Sequence, residues 1–175
     1  MSLFQNHIFH KNIERFIGST TPILLGFLFL ILGALPLKSV ALPNLGAVFL
    51  TINIFFWSTH QPNSLKPFGI FLLGILADIL GYAPIGVGAL GLLLLYFLIE
   101  IKRRIFIGSD FLVDWISFAI MSSLVNILNW GLVSLLNKHM LSFSSPLIYY
   151  MIGVVLYPII VFFLEKLKNY LNIEH

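Results

Sequence analysis

Asp78, Asp110 and Asp114 are the side chains of this chain whose type and setting raise acid–base chemistry. Two aspartates that share a proton must lie almost in contact. Asp78 lies well inside an apolar run, towards its far end, whereas Asp110 and Asp114 flank the near edge of a later run, beside Lys102, Arg103 and Arg104. A dyad is therefore not expected. Helix-dipole complementarity and interfacial anchoring account for Asp110 and Asp114 more simply. The chain has no G-x-S-x-G, no H-E-x-x-H, no phosphate loop and no G-x-G-D, so no catalytic residue is assigned and an enzyme is not expected. His7 and His10 stand three apart but lack a third ligand, and cysteine is absent; no metal or cofactor site is expected.

The elements that must hold these residues are membrane spans. Of 175 residues 59% are apolar and only 10% charged, and mean hydropathy is +0.99, far from the roughly 25% charged of soluble domains. The expected fold is all-α, one polytopic membrane domain over residues 1–175 with six spans. The spans fall at about Phe16–Leu35, Leu45–Ser58, Pro67–Gly81, Gly86–Ile101, Leu112–Leu136 and Pro146–Leu164. The second, third and fourth are short, which implies extension into flanking polar residues, a locally thinned bilayer, or a re-entrant hairpin for the third and fourth. Eight of the ten Lys and Arg then fall on the side of the N-terminus, against Lys38 and Lys138 on the other, so both termini are expected to be cytoplasmic. The basic residues are membrane flanks and give no reason to expect nucleic acid.

The first span follows Lys11 and Arg15, but no A-x-A cleavage pattern follows it, so it reads as an uncleaved span. Ahead of it Leu3, Phe4, Ile8, Phe9 and Ile13 fit either a short interfacial helix or an unstructured tail. Trp57, Trp115, Tyr149, Tyr150 and Tyr170 fit an aromatic belt.

Asp78 is the single charge between Pro67 and Ile99. A carboxylate at mid-helix costs about 2.5–3.5 kcal/mol to insert, so it should face protein or a wet cavity. Gly74, Ala77, Asp78 and Gly81 share one helix face, where small side chains permit close approach of a neighbour. Gly86, Gly88 and Ala89 open the fourth span in the same way, after the turn at Tyr82–Gly86. These seven residues are the candidate packing or docking surface. In the fifth span Ser122, Asn126 and Asn129 form a polar stripe, and either asparagine is an expected partner for Asp78. Pro158 should kink the sixth span.

LPNLG at the entry to the second span, Trp57 with Pro62 beyond it, the run FGIFLLGILADILGYAPIGVGAL, and the closing LYPIIVFFLEKL together resemble the MreD family of bacterial rod-shape-determining membrane proteins. The resemblance runs from Leu42 onward and is strongest at Gly74, Asp78, Gly86 and Ala89. It implies a non-enzymatic scaffold or regulator of the cell-elongation complex in the bacterial inner membrane, supporting rod shape and lateral peptidoglycan synthesis. Implied partners are an MreC-like single-span protein and, through it, MreB filaments, the elongation penicillin-binding transpeptidase and the membrane glycan polymerase. The implied six-helix fold is that of the S components of energy-coupling-factor transporters, so a small-molecule-binding transport subunit is the alternative. Those proteins dock their partner through small residues four apart on the first span, whereas here Gly26 and Gly33 are seven apart.

Overall fold

The structure, a computed structural model, describes residues 20–34, 45–61, 64–81, 84–106, 110–138 and 140–170. The tail with His7 and His10, and the exit of the first span with Pro36, Lys38 and Pro43, lie outside the described residues. Six α-helices run through the described residues: α1 Thr20–Ala34, α2 Leu45–His60, α3 Pro67–Gly81, α4 Val87–Ile101, α5 Phe111–Leu136 and α6 Ser144–Tyr170. A 3₁₀ turn, Arg103–Ile105, follows α4, and no strand occurs among the described residues. Proline suits the first position of α3, where its missing N–H has no intrahelical partner to lose.

α2 is the axis of the bundle. Its residues Ile52, Asn53, Ile54, Phe55, Phe56 and Trp57 are all fully buried, because α3, α4, α5 and α6 pack around it and α1 closes the remaining side. Phe55 meets the rings of Phe106, Phe118 and Tyr157 edge-on at 5.2–5.8 Å, and Phe118 stacks on Tyr157 at 4.5 Å. Such offset and edge contacts add to the burial that already holds the centre together. Trp57 therefore belongs to the core and not to the expected aromatic belt: a helix surrounded on every side has no interfacial face to offer.

α1 reaches the core by close approach. A Cβ on Gly33 would run into the backbone of Gly46, and one on Gly26 would press on Leu50 and Leu73. Asn53 Nδ2 donates to the Pro22 carbonyl at 2.9 Å and ties α1 to α2 from a buried position.

The outer surface is apolar. Phe68, Ile85, Ile101, Ile120, Val155, Ile159 and Phe162 are each more than 60% exposed, a surface that water would not tolerate and lipid would. α5 and α6 are long and apolar enough to cross a membrane, and only 22% of the relevant window of each is buried, which separates them from core helices of a soluble protein. At 26 and 27 residues they extend about 40 Å, against about 22–24 Å for the 15- and 16-residue α2, α3 and α4.

Candidate functional site

The buried carboxylate of Asp78 sits one turn before the end of α3 and is only 3% exposed. The chain turns back through Pro84 and Ile85 to Gly86, which caps α4 at φ +100°, a conformation that glycine adopts without strain. A helix start leaves its first amides without partners, and Gly86 has no side chain to serve them. Asp78 supplies the missing acceptor from the neighbouring helix. Its Oδ2 accepts the N–H of Gly86 at 2.8 Å and of Ala89 at 3.3 Å, and both oxygens share the N–H of Gly88 at 3.0 and 3.1 Å. The remaining amide, Val87, donates to the Pro84 carbonyl at 3.2 Å. All four amides from Gly86 to Ala89 are thus satisfied, with a negative group placed at the positive end of α4.

The small residues make this reach possible. A Cβ on Gly88 would collide with Asp78 Oδ1, and one on Gly74 would collide with the backbone of Ala89. Gly74, Asp78, Gly86, Gly88 and Ala89 are consequently engaged within one helical hairpin, while Ala77 and Gly81 stay half-buried beside it.

The expected bond from Asp78 to Asn126 or Asn129 is not formed. Asn126 Nδ2 donates instead to the Pro146 carbonyl of α6 at 2.8 Å, and Ser122 Oγ donates to Phe118 O of its own helix at 2.6 Å. The Asn129 amide packs against Gly91 of α4, and its buried Oδ1 has no partner. The backbone amides of α4 lie within reach of Asp78 along its own hairpin, and they claim it first.

Sequence reasoning missed three aromatic ties between α5 and the segment that follows it. Trp115 Nε1 donates to the Val154 carbonyl at 2.9 Å, Trp130 Nε1 to the Leu141 carbonyl at 3.0 Å, and Tyr150 Oη to the Ala119 carbonyl at 3.1 Å. The first had a readable signal. Pro158 has no N–H, so the carbonyl four residues before it, that of Val154, must find a donor elsewhere. α6 runs unbroken from Ser144 to Tyr170 through Pro158.

Asp114 lies at the other end of the bundle from Asp78, since α3 starts where α2 ends and carries Asp78 away from that end. It is buried in the first turn of α5, 3.7 Å from His60 Nε2. His60 is the last residue of α2 and lies two residues beyond Ser58, where the second span read from the sequence ends. Burial pushes its pKa below 6.5, opposed by a hydrogen bond to the Phe56 carbonyl and by Asp114. A lowered pKa means that the unfolded chain binds the proton more readily. Stability should therefore hold above pH 6.5 and decline as pH falls below it. Melting curves in detergent from pH 8 to pH 5 check this: His60→Gln should flatten the decline, and Asp114→Asn should move the imidazole NMR titration further down. Among the described residues no three of His, Asp and Glu come together as a metal site would require.

The arrangement around Asp78 builds and braces a hairpin. The model of the family of the rod shape-determining protein MreD matches residues 14–167, most of the chain. The chain belongs to the MreD family. MreD proteins are membrane proteins of rod shape determination, which agrees with the apolar outer surface of this one. The match begins at residue 14, so MreD likeness extends over α1 as well as over the stretch from Leu42 onward. No curated protein and no solved structure matches the chain.

Proposed function

We propose that this MreD-family protein is a non-enzymatic, multi-pass scaffold of the bacterial cell-elongation complex. All six helices cross the inner membrane, with both termini on the cytoplasmic side, where eight of the ten Lys and Arg then lie. Its partner is an MreC-like single-span protein and, through that protein, MreB filaments, the elongation transpeptidase and the glycan polymerase of lateral wall synthesis. The observation that carries this reading is the use of the one mid-span carboxylate as a brace for α4. The only charge deep in that stretch serves architecture, which suits a protein that holds others in place.

Gly74, Asp78, Gly86, Gly88 and Ala89 would then act indirectly, by fixing the shape of the α3–α4 hairpin, while the lipid-facing sides of α5 and α6 offer the area for a partner helix. The transporter reading has less support. Among the described residues of α1, Gly26 and Gly33 are engaged by Leu50, Leu73 and Gly46, so neither glycine is open to a transport partner. Depletion in a rod-shaped host should round the cells, and photo-crosslinkers on α5 and α6 should capture a single-span wall-synthesis protein. Retained rod shape with no such capture would refute the scaffold.

A further inference from the structure

The α3–α4 hairpin has one charged end. Asp78 on the amides of Gly86 and Gly88, and Gly74 against Ala89, set the two helices antiparallel, so the start of α3 and the end of α4 share one end of the bundle. Lys66 immediately precedes α3, and Lys102, Arg103 and Arg104 follow α4. All four are exposed. The opposite end, the turn from Tyr82 to Gly86, contains no charged residue.

The backbone beneath these cations is pinned to the core. Next to Lys66, Leu65 is buried, and Ser64 Oγ donates to the Gln61 carbonyl at 2.7 Å. Beyond Arg104, Phe106 is buried edge-on against Phe55 at 5.8 Å, and its N–H donates to the Arg103 carbonyl at 3.1 Å, which holds the 3₁₀ turn in place. Arg103 pairs with Glu100 at 3.3 Å. Among the described residues Lys66, Lys102 and Arg104 have no ion pair and no side-chain hydrogen bond. Ile101 and Phe68, at 76% and 71%, are the most exposed large apolar side chains of α3 and α4, and each stands within two residues of one of these cations. The excess of basic residues on the cytoplasmic side accounts for the sign of this end. It does not account for three unpaired cations on fixed backbone beside the barest apolar residues of both helices.

We propose that this corner of the hairpin is a binding site for an anionic phospholipid. The headgroup phosphate sits among Lys66, Lys102 and Arg104, and an acyl chain runs along the exposed side chains of Phe68, Phe97 and Ile101. Phe97 and Ile101 are four apart and so share one face of α4. A zwitterionic headgroup brings a cation of its own to a site that already holds three, and so gains less. An acidic soluble protein would match the charges but leave Phe68 and Ile101 in water, whereas a lipid meets both halves of the surface. The site rests on the membrane location of the MreD family. It requires neither the scaffold role nor the orientation of the termini, so each can fail without the other.

The test uses the full chain, delipidated in a neutral detergent and titrated with phosphatidylglycerol or phosphatidylcholine of the same acyl chains, with bound lipid counted by native mass spectrometry. The first phosphatidylglycerol should bind about tenfold tighter than the first phosphatidylcholine. Lys66→Gln, Lys102→Gln and Arg104→Gln together should reduce that preference to about twofold or less. All three side chains are exposed, so the melting temperature should stay that of the wild type. Lys138→Gln, Lys166→Gln and Lys168→Gln together remove the same charge elsewhere and should leave the preference in place. A phosphatidylglycerol carrying a photoreactive acyl chain should label the peptides that contain Phe68, Phe97 or Ile101. Excess glycerophosphoglycerol, the headgroup without its chains, or inorganic phosphate should fail to displace the lipid at constant ionic strength. Equal binding of the two lipids, an equal loss of preference in both triple variants, labelling confined to α5 and α6, or displacement by either free anion would overturn the proposal.

Discussion

Asp78→Ala should lower the stability of the folded bundle by about 3 kcal/mol. The substitution leaves the amides of Gly86, Gly88 and Ala89 without their acceptor at a site that is 3% exposed, and each orphaned buried donor costs about 1–3 kcal/mol before local hydration recovers part of it. Asp78→Asn should cost about half as much. It keeps one acceptor oxygen for the amides but loses the interaction of a negative charge with the α4 N-terminus, which accounts for up to about 2 kcal/mol in partly buried settings. Denaturation in mixed detergent gives the two stabilities, and hydrogen exchange gives the location: the amides of Gly86, Gly88 and Ala89 should lose protection ahead of the rest of α4. If Asp78→Ala melts like the wild type, the brace is not what holds the hairpin. Stability retained in Asp78→Asn alongside lost rod shape in cells would move the residue from architecture to partner contact.

The same residue shows what could and could not be read from the chain. That α3 occupies the stretch from Pro67 to Gly81, and that Asp78 must face protein, follow from hydropathy and from the cost of a buried charge. Its partners do not follow, because they are backbone amides, and amides carry no letter in a sequence. Reasoning over side chains therefore offered Asn126 and Asn129, the polar residues at a similar depth, while the actual donors stood eight to eleven residues downstream. The central place of α2 was hidden for a related reason. A helix apolar on all faces looks alike whether lipid or protein surrounds it, so Trp57 read as interfacial although it is fully buried. Helix content, by contrast, was legible throughout, since each apolar run needs its backbone groups paired internally.

Trp115→Phe should cost about 1–3 kcal/mol in the wild-type background and much less when Pro158 is replaced by alanine. The indole N–H of Trp115 is the donor to the Val154 carbonyl, which Pro158 leaves without its ordinary helical partner. Phenylalanine keeps most of the ring and removes the N–H, so the loss measures the stranded carbonyl more than the packing. Pro158→Ala restores a backbone N–H at that position, gives the carbonyl its partner within α6, and makes the indole donor redundant. The four variants form a cycle in detergent denaturation, and the coupling should be about 1 kcal/mol or more. Equal losses in both backgrounds would mean that Trp115 acts through packing against Phe111 and its neighbours alone. A positive coupling would show that α5 and α6 are fastened by a bond that exists because of the proline. Removing the proline and the tryptophan together should then leave an α5–α6 pair that is folded and still held in register, since Asn126 on the Pro146 carbonyl and Tyr150 on the Ala119 carbonyl fix the height of one long helix against the other without the indole.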